Sequence, residues 1–103
     1  MGCVIAYGDA DWFVANYEFR LLLGLARTKV ECEDDTQVLA RAEALHGLFL
    51  DSLPDEQLRR LVRALRSATN ELHDAHHAPR DDRESGFRNH LVVLSDLLDG
   101  VPR

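Results

Sequence analysis

The residues most able to do chemistry lie near the end of the longest helical pattern, which reads Glu71-Leu72-His73-Asp74-Ala75-His76-His77. His73 and His77 stand four apart and share a helix face, a spacing at which two imidazoles can hold a transition metal. Asp74 or Asp81 could add an oxygen ligand, and His90 could arrive from the following helix. A zinc-protease helix needs His-Glu-x-x-His, whereas here Asp74 follows His73. Histidines in a last helical turn also suit its negative end and cap its carbonyls with no metal at all. A metal- or small-ligand-binding bundle using His73, His77 and His90 is therefore the alternative expectation, not the leading one.

On the same helix Arg59, Arg63, Arg66, Asn70, His73 and His77 fall on one flank. Arg59, Arg63 and Arg66 form a candidate strip for an anion or an acidic partner. The competing reading is a row of intramolecular pairs with acids such as Asp34, Asp35 or Glu43, which contribute little at a surface. No aromatic residue is interleaved to stack a base. The acidic turn Glu31 to Asp35 lacks the alternating ligands, central glycine and terminal glutamate of a calcium loop.

Nucleophilic catalysis finds no support. Ser52, Ser67, Ser85 and Ser95 carry no elbow motif, and Cys3 and Cys32 sit in no recognisable signature. The six glycines are scattered, so no phosphate loop is present. His46 and His90 each border an apolar face and read as packed, hydrogen-bonded residues. A non-enzymatic protein without a cofactor is expected.

The 103 residues suit one domain, and 46% apolar content is that of a globular chain. A formal net charge of −6 argues against nucleic acid and anionic membrane as partners, because both need clustered cations. The apolar runs are too short for a membrane span or a signal-peptide core. Met-Gly-Cys at the start hints at acylation, but Ala6 stands where that motif wants Ser or Thr. Two cysteines are too few for a secreted disulfide framework. The expected setting is the cytoplasm, with reduced thiols.

The elements that would position these residues read as all-α: a compact four-helix up-and-down bundle with a short extended N-terminal lead-in. The helices are expected at about 9–29, 36–51, 54–77 and 83–99. Residues 3–7 (CVIAY) are β-prone but have no evident strand to pair with. In the second helix Val38, Ala42, Leu45, Leu48 and Phe49 form an apolar arc. Leu58, Leu61, Val62, Leu65, Ala68, Thr69 and Leu72 give the third helix a single stripe, and Phe87, Leu91, Leu94 and Leu98 line the fourth.

The first helix is the odd one. At 100° per residue Trp12, Ala15, Phe19, Leu22, Leu23 and Ala26 fall on one side, and Phe13, Val14, Tyr17, Leu21 and Leu25 on roughly the other. A helix with two apolar faces must lie between layers. Trp12, Phe13, Tyr17, Leu21 and Leu25 are therefore the expected interface, and a homodimer is the simplest assembly. In size, charge and helical character the chain is similar to standalone bacterial immunity and antitoxin-like proteins, a likeness of class that rests on no motif. The leading expectation is a small acidic protein-interaction or regulatory module.

Overall fold

The β-prone start does find partners. In the computed structural model, which describes residues 2–75 and 82–101, β1 (Gly2–Tyr7) pairs antiparallel with β2 (Ala10–Ala15). The two-residue loop Gly8-Asp9 joins them. Gly8 has φ +58° and is the loop's only residue in the left-handed region, the φ signature of a type II′ turn with glycine first. Tyr7 faces Ala10, Ile5 faces Trp12 and Cys3 faces Val14 across the hairpin.

The chain then turns directly into α1 (Asn16–Arg27), passes through α2 (Glu33–Leu45) and returns as a short strand, β3 (Gly47–Phe49). β3 lies parallel to β1 on the side away from β2, so the sheet order is β2-β1-β3. A 3-10 turn over Leu50–Ser52 leads to α3 (Asp55–Ala75), and α4 (Asp82–Asp99) closes the fold.

The protein is thus an α+β fold of four helices and a three-stranded mixed sheet, which corrects the expectation of an all-α bundle. The expected first helix at 9–29 contains two elements. Over Ala10–Ala15 burial alternates, with Trp12 and Val14 inside and Asp11, Phe13 and Ala15 outside. From Asn16 onward one helical stripe is buried, made of Glu18, Phe19, Leu22, Leu23 and Ala26. A change of period from 2 to 3.6 inside one proline-free stretch produces two apparent helical faces where there is one helix.

The second expected helix, 36–51, is cut short for a related reason. α2 ends at Leu45, and His46 adopts the left-handed conformation at φ 59°. The chain then alternates again, with Leu48 and Leu50 buried and Phe49 outward. The central strand β1 needs a neighbour on its second edge, and the Val4 amide donates to the His46 carbonyl at 3.2 Å where that pairing begins.

The third and fourth helices match their stripes. Leu58, Leu61, Val62, Leu65, Ala68, Thr69 and Leu72 of α3 are buried, as are Phe87, Leu91, Leu94 and Leu98 of α4. α3 packs on both α1 and α4, and α4 in turn packs on β2. One core fills the space between the helices and the inner sheet face, which carries Cys3, Ile5, Trp12, Val14 and Leu48. Among the described residues no helix is long and apolar enough to cross a membrane.

Candidate functional site

Four groupings of side chains are candidates for function. The first is a band of apolar residues on the outer face of the sheet. Strand register places Phe13, Val4 and Gly47 in one row and Asp11, Ala6 and Phe49 in the next. A methyl group on Gly47 would lie 3.2 Å from the Phe49 ring and 3.3 Å from Val4 Cγ1. The Phe49 ring therefore folds back over the glycine, with Val4 beside it. Phe49 and Leu45 both line a groove of about 310 Å³ along the β3 edge, with Val38, Leu53 and Pro54 among its other walls. Phe13 is 66% exposed, Phe49 54% and Leu45 70%, so the band lies open to solvent. Phe13 and Phe49 both neighbour Val4, and Leu45 shares the groove with Phe49, so the three form a patch of the kind that marks an interaction site.

The expected interface residues divide between core and surface. Trp12 is only 2% exposed, faces inward from β2 and donates from Nε1 to the His90 carbonyl of α4 at 2.6 Å. Phe13 is exposed on the sheet, Tyr17 and Leu21 are exposed on α1, and Leu25 is packed partly against the core.

The second grouping joins three elements at one end of the sheet. The Cys3 thiol of β1 donates to Asn16 Oδ1, the first residue of α1, at 3.4 Å, and Cys3 Sγ lies 3.6 Å from His46 Nδ1. Cys3 is buried while Asn16 and His46 are half-buried. Burial pushes the Cys3 thiol above its ordinary pKa, partly opposed by the positive charge of Arg20. Cys3 and Cys32 are both free thiols.

The third grouping is a buried carboxylate. Glu18 of α1 accepts from the Tyr17 hydroxyl at 3.2 Å, and its other oxygen lies 3.0 Å from His90 Nδ1 of α4. The pair clamps α1 to α4. It also commits one nitrogen of His90, the residue expected to complete a metal set. His73 has a different neighbour, because Arg88 Nε donates to its Nε2 at 3.4 Å. His77 lies outside the described residues. His73 and His90 thus serve separate contacts, and among the described residues no group of three or more His, Cys, Asp or Glu side chains is placed to hold a metal ion.

The fourth is a cleft of about 530 Å³ bordered by Lys29, Cys32, Asp35, Arg60 and Arg63. Its cations are largely spoken for. Lys29 pairs with Glu71 at 2.6 Å, and Arg60 grips the buried Asp35 with Nε at 2.8 Å and Nη2 at 3.1 Å. Of the expected anion strip, Arg66 is drawn to the end of α4, donating to the Leu98 carbonyl at 3.1 Å and pairing with Asp99 at 2.6 Å. Arg63 lines the cleft, and Arg59 lies exposed on α3 apart from both.

The Arg60 hydrogen bonds hold the Asp35 carboxyl below its ordinary pKa of 3.8, against the opposing effect of burial and with help from Gln57. A carboxyl lowered in the folded state adds stability that is complete above its unfolded pKa and is lost as pH falls through the folded value. The stability difference between wild type and Asp35→Asn is therefore expected to be largest at neutral pH and to shrink as pH drops below 3.8. Urea unfolding along a pH series, followed by the fluorescence of Trp12, the chain's one tryptophan, checks this. A difference that stays constant with pH would contradict it.

The chain matches no protein-family model, and no curated protein or solved structure matches it either.

Proposed function

We propose that this chain is a non-enzymatic protein-interaction module that self-associates through the outer face of its sheet. The observation that carries the reading is the band Phe13–Val4–Phe49–Leu45, in which Phe13, Phe49 and Leu45 are exposed around the half-buried Val4, on a domain whose other strand face is fully packed. An interface between identical copies must be complementary to itself. The band meets that condition: Phe13 projects at the β2 side, while at the β3 side the Phe49 ring lies over Gly47 and offers an aromatic surface. A two-fold axis along the strands brings each Phe13 onto the partner copy's β3 side, against the phenylalanine ring that covers the glycine there. The same operation turns Asp11, on the β2 edge, towards Arg41, which lines the groove beyond β3. The reading keeps the cytoplasmic setting, where Cys3 and Cys32 remain thiols.

Sedimentation velocity on wild type, Phe13→Asp and Phe49→Asp tests the reading. Wild type should sediment as a dimer and both variants as monomers with unchanged circular dichroism. A hot-spot aromatic contributes about 2 kcal/mol and is present twice by symmetry, so each substitution should raise Kd about 10³-fold. A wild type that stays monomeric at every concentration would sink the proposal, as would variants that dimerise as well as wild type does.

A further inference from the structure

We propose that reciprocal ion pairs, Asp11 of each copy to Arg41 of the other, fix the orientation of the self-association and make it selective for a second copy of this chain. This selectivity rests on the outer-face reading and adds which of two pairings the copies adopt.

Two different rotations bury the same apolar band. A two-fold axis along the strands lays β2 over the partner's β3. An axis in the sheet plane but across the strands lays β2 over β2 and β3 over β3. Apolar burial is non-directional and gives little choice between them.

The charges at the two sides of the band do choose. Asp11 lies on β2, in the row it shares with Ala6 and Phe49. Arg41 stands on α2 at the groove beyond β3, of which Phe49 is also a wall. Rotation about the strand direction keeps each row at its own level. Asp11 then arrives at the partner's β3 side, level with Phe49 and towards Arg41, and symmetry makes the contact twice. Rotation across the strands instead puts both copies of Asp11 along one edge of the assembly and both copies of Arg41 along the other. Like charge then faces like.

Both side chains are open to a partner. Each is exposed, and among the described residues neither makes an ion pair within its own chain. Arg27, Lys29, Arg60 and Arg66, by contrast, are each matched to an acid. Arg41 is a cation left unmatched beside an apolar groove, in a chain of formal net charge −6 whose copies repel at long range. Opposed charges at such a rim act chiefly by penalising wrong pairings.

Charge reversal tests this. Asp11→Arg and Arg41→Asp should each raise Kd about 10²-fold with unchanged circular dichroism, because each turns two attractive contacts into two repulsive ones. An equimolar mixture of the two variants should regain the dimer as a one-to-one heterodimer, in which both contacts are attractive again. Sedimentation velocity reads the assembly, and native mass spectrometry reads its composition, since the two variants differ in mass. The double variant Asp11→Arg/Arg41→Asp should dimerise alone, within about tenfold of wild-type Kd. Single variants that dimerise like wild type would overturn the proposal, as would a mixture or a double variant that stays monomeric. Where Phe13→Asp still breaks the wild-type dimer, those results leave the outer-face reading standing. A wild type that is monomeric at every concentration would overturn both.

Discussion

Deleting residues 2–7 should abolish cooperative folding. These six residues are β1, hydrogen-bonded to β2 on one side and β3 on the other, so without them the two outer strands have no partner. Cys3 and Ile5 are buried, and Ile5 is fully so. Burying one large aliphatic side chain contributes about 1.5–3 kcal/mol. The deletion also uncovers what those side chains cover, Trp12 and Val14 across one ladder and Leu48 across the other. Several such losses fall on a domain whose whole stability is of order 5–15 kcal/mol. Far-ultraviolet circular dichroism of the truncated chain should show residual helix that melts without a sigmoidal transition. A cooperative melt near the wild-type midpoint would mean that the segment is a dispensable lead-in.

That contrast marks where local pattern fell short. α3 and α4 were legible because each keeps one period over many residues, and their stripes from Leu58 to Leu72 and from Phe87 to Leu98 are the buried ones. The sheet was not, although its local signals were present. Gly8-Asp9 between two apolar runs is a two-residue hairpin signal, and the turn uses it with Gly8 at positive φ. The difficulty lay in Asp9 to Thr28, where a six-residue strand runs into a helix with no proline or glycine between them. The strand's alternation was absorbed into a helical wheel. β3 is harder still, because three residues carry no readable period and exist as a strand only through pairing with β1.

The candidate sites follow the same division. Phe13, Tyr17 and Leu21 were singled out as surplus apolar residues and are exposed, whereas Trp12, grouped with them as a bulky aromatic of the anchor type, is in the core. Phe49 and Leu45 were placed in a core arc and are instead among the most exposed apolar residues, since α2 stops at Leu45. The meeting of Cys3, Asn16 and His46 spans 43 residues of chain and depends on which strands are neighbours. No local spacing carries that information. Nor could it show that Arg60 rather than Arg59 or Arg63 would take the buried Asp35.

Trp12→Ala gives the sharpest separation between the two readings of the first apolar stretch. If Trp12 were an anchor between chains, its loss would weaken assembly and leave each folded monomer intact. In the structure it is 2% exposed, packs between β2 and α4 and ties them through the bond from Nε1 to the His90 carbonyl. Truncating a buried tryptophan costs about 3–5 kcal/mol, combining lost transfer energy with the cavity left behind. Trp12→Phe keeps most of the packing and forfeits the hydrogen bond, so about 1–2 kcal/mol is expected. Both substitutions belong in the Phe13→Asp background, where the proposed dimer would add no concentration-dependent contribution to stability. Because the fluorescent probe is itself removed, unfolding in urea is followed by circular dichroism. The expected order of midpoints is Trp, then Phe, then Ala. An unchanged midpoint for Trp12→Ala would remove Trp12 from the core and return it to an interface, and the strand reading of residues 10–15 would fall with it.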